Sequence, residues 1–138
     1  MRHARLALAA LLAPALAGAA ELTLVVEGAP SAEGEVRAAV WSYAAGFAEF
    51  DRAAAIAAAP ADPAGVTLTL EGLPEGRIAV IAWHDADGDG ALDRFLGMWP
   101  TEPWAVSNAP EISGLPEFAP AAVDLPAAGA TLRLRLAD

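Results

Sequence analysis

Apolar residues at every second position are the feature that most restricts how this chain can fold. Four segments with this pattern and one continuous apolar run are predicted to be β-strands: in chain order, residues 21–27, 36–43, 66–71, 77–83 (the continuous run) and 131–136. Alternation of this kind lets a strand bury one face and expose the other. The fourth segment is apolar on both faces, which predicts a central, buried strand. Short strands separated by turn signals predict an all-β fold, an antiparallel Ig-like or transthyretin-like β-sandwich of about seven strands.

Residues 47–59 interrupt the alternation. They are rich in alanine with apolar spacing, and Pro60 and Pro63 follow them. Because alanine favours helix and proline ends it, we predict one short helix in this segment. The second irregular stretch, residues 85–120, combines turn residues, aromatic side chains and prolines. Long loops of this kind in a compact domain usually carry function.

The first twenty residues are predicted to be an export signal. Arg2, His3 and Arg5 precede an apolar run over 6–16, and Ala17-Gly18-Ala19 supplies the small residues of a cleavage site. We expect cleavage after Ala19 or Ala20 and a single domain over residues 21–138. No cysteine follows the apolar run, so we expect no lipid anchor and no membrane anchor in the mature form. The predicted location is the periplasm or the medium.

The charge balance restricts the choice of partner. The chain has 18 acidic and 8 basic residues and a net charge of −10, which becomes −12 once Arg2 and Arg5 are removed. Such a chain repels a phosphate backbone, so nucleic acid is excluded as the expected partner. We predict a protein or carbohydrate partner instead. The chain has no cysteine, so no disulfide contributes to stability.

The acidic segment after the fourth strand is the most informative motif. Four carboxylates occupy relative positions 1, 3, 5 and 9, and glycine occupies position 6; the residues are Asp85, Asp87, Asp89, Asp93 and Gly90. This is the first part of an EF-hand-type calcium loop, in which alternate side chains point inward and glycine allows the chain to turn around the ion. The backbone carbonyl of Ala91 takes the position-7 ligand place, and Leu92 is expected to tie the loop to the core.

Two features depart from an EF-hand. Position 12 is Leu96 instead of a bidentate glutamate, and a strand, not a helix, leads into the loop. Glu102 is the nearest downstream carboxylate and is the predicted completing ligand. We therefore predict a weak Ca²⁺ site. The alternative is a solvated hairpin turn, because Asp87-Gly88 and Asp89-Gly90 are both favoured turn dipeptides.

The remaining polar and aromatic residues leave two further hypotheses. A hydrolase would use His84, Asp85 and Glu102, with His84 as general base. However, His84 is also explained as a structural side chain, the chain has no cysteine, and no serine lies in a nucleophile elbow, so we predict that the protein is not an enzyme. A calcium-assisted carbohydrate-binding module would use Trp99 and Trp104, although we favour packing roles for these side chains because tryptophan is usually well buried.

Several blocks together resemble a known family. The glycine-proline turn at 72–76, followed by an apolar strand and His84-Asp85, resembles transthyretin-like and carboxypeptidase-regulatory-like sandwich domains. More narrowly, the chain resembles the exported bacterial proteins of domain of unknown function family 2141. The matching blocks are residues 42–47, 84–93, 96–97, 100–104, 107–108, 114–118 and 121–123. The resemblance implies a β-sandwich outside the cytoplasm and implies no particular activity.

Overall fold

The computed structural model describes residues 19–92, 94–95, 99–109 and 115–137, and at positions 94, 95 and 99 it describes the backbone. The elements follow the order β1 (Ala20–Glu27), β2 (Glu35–Trp41), a 3-10 helix (Phe50–Arg52), β3 (Ala55–Pro60), β4 (Val66–Leu73), β5 (Gly76–Asp85), β6 (Arg94–Phe95), β7 (Trp99–Pro100), β8 (Trp104–Val106), α1 (Phe118–Ala121), β9 (Val123–Leu125) and β10 (Ala130–Arg135). No helix within these described residues is long and apolar enough to cross a membrane.

Most strands form two sheets. The first sheet has the order β10-β1-β4, and the second has the order β3-β2-β5-β8, with β9 paired to the beginning of β5. β6 and β7 form a separate two-stranded pair. The prediction of an all-β sandwich is confirmed. The pairings are antiparallel except between β1 and β10, which run parallel, with Leu24 opposite Leu132.

The apolar core lies between the two sheets, and a second apolar cluster covers the far side of the second sheet. We call this second group the outer cluster; its fully buried members include Trp41, Ile81 and Trp83. β5 serves both, because its even-numbered residues such as Val80 and Ala82 belong to the main core and its odd-numbered residues to the outer cluster. This double burial explains why the strand is apolar on both faces, as predicted.

The predicted helix over residues 47–59 is wrong. The structure has a 3-10 helix at Phe50–Arg52 and then the strand β3, which pairs antiparallel with β2 along Ala55–Pro60. Exposure alternates residue by residue along β3, and Ala55, Ala57 and Ala59 pack against the main core. Pairing with β2 therefore overrides the helix propensity of alanine. The alternation is hidden in the sequence because alanine occupies both faces.

Ser107 continues the β5–β8 pairing by one residue beyond the end of β8. Its N–H donates to the Val80 carbonyl at 2.9 Å, and its hydroxyl oxygen accepts from the Val80 N–H at 2.9 Å. The same hydroxyl donates to the Ala121 carbonyl at 2.6 Å. Ser107 is fully buried, so these bonds have no competition from water. One side chain thus joins β5 to the segment that leads into β9.

We predict that Ser107→Ala lowers the free energy of unfolding by about 1–3 kcal/mol, because it leaves the buried Val80 N–H and Ala121 carbonyl without this partner. Urea denaturation monitored by tryptophan fluorescence measures the loss. Ser31→Ala is the matched control, since the Ser31 hydroxyl accepts only an exposed bond from the Glu33 amide; we expect a change within about 0.5 kcal/mol. Equal losses for the two variants would contradict the role assigned to Ser107.

Candidate metal centre

Asp85, the last residue of β5, is the centre of the acidic end of the molecule. Its side chain is completely buried. One carboxylate oxygen, Oδ2, accepts two hydrogen bonds, from the Gly90 N–H at 2.8 Å and from the Arg37 Nε–H at 2.9 Å. The other oxygen, Oδ1, is buried and has no hydrogen-bond partner among the described residues. A buried carboxylate oxygen without a partner is costly, so this atom requires an explanation.

The charge state of Asp85 follows from its surroundings. Burial raises the pKa of this carboxyl, but hydrogen bonds that involve the Gly90 amide, the Asp87 side chain and the Arg37 guanidinium, in that order of size, hold the pKa below its usual value of 3.8. Asp85 is therefore ionised at neutral pH, and its unpartnered oxygen carries negative charge.

The loop after Asp85 folds back over β5 by local hydrogen bonds. The Asp89 N–H donates to Asp87 Oδ1 at 3.3 Å, and the Ala91 N–H donates to Asp89 Oδ1 at 2.9 Å. Gly90 has φ of +80°, a conformation that favours glycine. Leu92 is buried in the outer cluster and ties the loop to the second sheet, in agreement with its expected role.

Glu102 reaches the loop from the segment that leads into β8. The His84 N–H donates to the Pro103 carbonyl at 2.9 Å, and Trp104 forms a pair of backbone bonds with Ala137, both 3.0 Å. These bonds fix the backbone on the C-terminal side of Glu102. As a result one ligand atom from each of Asp85, Asp87, Asp89 and Glu102 lies within 4.8 Å of every other.

Of the other predicted site residues, two have no described side chain and two are described. Asp93 lies outside the described residues, and so does the side chain of Trp99. Ala91 is exposed within the loop. Trp104 is partly buried and packs against the outer cluster. That packing is the arrangement expected of a structural tryptophan.

His84 is buried, and its ring is hydrogen-bonded to the backbone. Its Nε2 lies 2.6 Å from the Glu33 carbonyl oxygen, and because a carbonyl can only accept, Nε2 carries the proton and donates it. Neighbouring residues of a strand point to opposite faces, so His84 and Asp85 diverge from each other. The histidine therefore holds the turn before β2 against the end of β5.

Arg37 is the residue of this site that the sequence did not reveal. Its guanidinium joins two acids, with Nη2 2.6 Å from Glu35 Oε2 and Nε 2.9 Å from Asp85 Oδ2. The β2–β5 register places Glu35 directly opposite Asp85 and Arg37 opposite Trp83, on the outer face of the second sheet. Strand alternation in the sequence places Glu35 and Arg37 on one face of β2. It does not indicate that Arg37 bonds Asp85, which lies 48 positions further along the chain.

Comparison with known proteins gives one match. A protein-family model described as "Uncharacterized protein conserved in bacteria (DUF2141)" matches residues 24–132, so the chain belongs to this family. The resemblance found in the sequence is thereby confirmed for the family, while the transthyretin-like grouping stays a prediction. No curated protein and no solved structure matches the chain.

Gly34 allows the turn before β2 to approach the acidic loop. It has φ of +66°, and a Cβ atom there would overlap the Asp85 carbonyl oxygen and come within 2.7 Å of the Ala86 carbonyl oxygen. Gly72 has nearly the same φ, +68°, but nothing lies within 4 Å of its Cβ position. The two glycines therefore separate the effect of backbone conformation from the effect of close approach.

We predict that Gly72→Ala lowers the free energy of unfolding by about 1–2 kcal/mol, the usual penalty for a left-handed L-residue. Gly34→Ala should exceed that loss by about 1–3 kcal/mol, because backbone must move away from the new methyl group. Urea denaturation in the presence of chelator measures both. Equal losses would show that the contact between residue 34 and the acidic loop does not constrain the fold.

Proposed function

We propose that this member of the family is an exported, non-enzymatic accessory module whose acidic loop binds Ca²⁺. The observation that carries the proposal is the ionised carboxylate of Asp85, which clusters with three other carboxylates and whose buried Oδ1 has no hydrogen-bond partner among the described residues. A cation at this position would satisfy the oxygen and relieve the repulsion between like charges. We assign Asp85, Asp87, Asp89 and Glu102 as side-chain ligands, with Ala91 as the backbone ligand and Asp93 as a further one.

The donor set favours calcium over other metals. All candidate ligands are oxygens, and neither cysteine nor a nitrogen ligand takes part, which suits a hard cation. Two of the aspartates are exposed and come from a turn rather than from rigid elements, so the site tolerates the irregular coordination that Ca²⁺ accepts. Mg²⁺ demands near-ideal octahedral geometry and retains its waters, so it should bind less well. The absence of a glutamate at position 12 supports an affinity like that of extracellular modules, about 10⁻⁴–10⁻³ M.

The non-enzymatic part of the proposal rests on the state of the one histidine in the site. The His84 Nε2 proton is committed to the Glu33 carbonyl, and the side chain is buried. With the proton on Nε2, the lone pair of the ring is on Nδ1, and a general base needs that lone pair within reach of a substrate proton. The side chain is only 1% exposed, so a substrate does not reach it from solvent. This arrangement supports a structural role for His84.

We predict that Ca²⁺ raises the melting temperature of the mature domain. At about 1 mM free Ca²⁺ and a dissociation constant of about 10⁻⁴ M, binding stabilises the fold by about 1.4 kcal/mol. For a domain of this size that corresponds to roughly 4–10 °C. The measurement is thermal melting in Ca²⁺, in Mg²⁺ and in excess chelator at constant ionic strength. Coincident curves in Ca²⁺ and chelator would refute the proposal.

Matched variants locate the effect. Asp87→Asn with Asp89→Asn should remove most of the calcium shift, while the asparagine oxygens can still accept the loop amides that the aspartates accept now. Glu71→Gln with Glu75→Gln removes the same charge from the end of β4 and the turn that follows it, at the opposite end of β5 from Asp85. This control should retain the shift. A shift that survives in the first variant, or disappears in the second, would place the calcium elsewhere.

Export gives a separate prediction. Ala20 begins β1, is only 3% exposed and pairs with Leu73, so a chain that starts at Ala20 keeps the whole strand. We therefore expect cleavage after Ala19, with Glu21 as the less favoured start. N-terminal sequencing of protein recovered from the periplasm or the medium tests this. An intact Met1 on exported protein would contradict the predicted signal peptide.

A further inference from the structure

A cleft of about 410 Å³ lies beside the acidic loop. One wall is formed by residues 48–51, around the 3-10 helix, and the other by residues 90–92, the last part of the loop. Ligand pockets usually measure about 300–1,000 Å³. The size of this cleft therefore suits a single side chain or a small molecule better than a folded surface.

The lining combines an apolar surface with acidic groups. Phe50 is held by edge-to-face contacts with Trp41 and Trp83, at centroid distances of 5.3 and 5.0 Å, and Leu92 is buried beside it. The ionisable groups of the lining are Glu49 and Asp51, both acidic and both exposed. Glu49 pairs with the guanidinium of Arg52 at 3.1 Å, so part of its charge is offset within the chain, and we assign the partner's cation to Asp51.

We propose that this cleft binds a basic side chain, arginine or lysine, of a protein partner. The aliphatic stem would lie against Phe50 and Leu92, and the cationic group would pair with Asp51 at the rim. The arrangement matches the charge of the mature domain, since its net charge of −12, which is the −10 of the full chain after loss of the two arginines of the signal, attracts a basic partner over a distance and speeds its encounter.

The cleft and the proposed calcium site share a segment of chain, and this part of the inference rests on the proposed function. Gly90 donates its N–H to Asp85, and Ala91 donates its N–H to Asp89. Both residues also line the cleft. A cation that fixes Asp85 and Asp89 would therefore fix the cleft wall, so calcium should strengthen binding of the basic side chain, and the partner should strengthen binding of calcium by the same factor.

The test is a titration of ¹⁵N-labelled mature domain, followed by amide chemical shifts, with the peptide acetyl-Gly-Gly-Arg-Gly-Gly-amide. The control peptide carries citrulline, which has the shape of arginine without its charge. In 1 mM Ca²⁺ we expect amides of residues 48–51 and 90–92 to shift, and the arginine peptide to bind at least about fivefold more tightly than the citrulline peptide, the factor that about 1 kcal/mol represents. Binding should weaken in chelator.

Two variants give the local control. Asp51→Asn should reduce affinity for the arginine peptide by about three- to fivefold. Asp124→Asn removes the same charge from β9, where Asp124 is 82% exposed and pairs with Arg77, and should leave the affinity unchanged within about twofold. Equal effects of the two variants would show that the peptide responds only to the overall negative charge of the domain. That outcome would overturn the assignment to the cleft.

The outcomes separate this inference from the proposed function. If calcium raises the melting temperature but the arginine and citrulline peptides bind equally, or neither binds, then the cleft proposal is wrong and the calcium proposal stands. If calcium has no effect on melting while the arginine peptide binds in a manner sensitive to Asp51→Asn, then the cleft proposal stands and the coupling to calcium is wrong.

Discussion

The acidic end of this molecule depends on one carboxylate whose two oxygens have different surroundings. Asp85 Oδ2 is satisfied by a backbone amide and a guanidinium, while Oδ1 is buried without a partner among the described residues. The two bonds to Oδ2 fix the orientation of the carboxylate, and therefore the direction of the free oxygen. A site whose central ligand is already oriented loses less entropy when the ion arrives. The proposed calcium site thus depends on the Asp85 carboxylate, which the fold orients and of which only one oxygen is hydrogen-bonded among the described residues.

The position of Asp85 depends in turn on β5. Because that strand is buried on both faces, a slip of one residue would move Ile81 and Trp83 from the outer cluster into the main core, where the smaller Ala82 now packs. Strand alternation then sends His84 toward the turn before β2 and Asp85 toward the acidic loop. His84 bonds the Glu33 carbonyl, and the neighbouring Gly34 fits against the Asp85 backbone. His84 thus bonds the turn before β2, and Asp85 bonds the acidic loop, both at the end of β5. The position of the site is therefore fixed by the second sheet.

The sequence predicted those features that depend on local spacing. Strict alternation located β1, β4 and β10 within one or two residues, and the spacing of Asp85, Asp87 and Asp89 was enough to place their carboxylates together. Features that depend on distant pairing were missed. The alanine run of β3 shows no polar alternation, so only its pairing with β2 determines that it is a strand. The parallel pairing of β1 with β10 and the bond from Arg37 to Asp85 join segments far apart in the chain, and no local pattern encodes them.

Arg37 gives a physical reason for the low affinity that we propose. Its Nε lies 2.9 Å from Oδ2 of Asp85, the carboxylate whose Oδ1 would hold the cation. The same guanidinium lies next to Gly90, 3.8 Å from the position that a Cβ atom would take there. Two cations that share one carboxylate repel each other and divide its charge between them. The same guanidinium offsets part of the repulsion among the acidic side chains when no ion is bound, so it favours the folded loop without calcium. Weak binding would then follow from the construction of the second sheet as well as from Leu96 at position 12. The Arg37 guanidinium would then hold the loop in shape at low calcium, and the proposed ion would bind to a loop that is already formed.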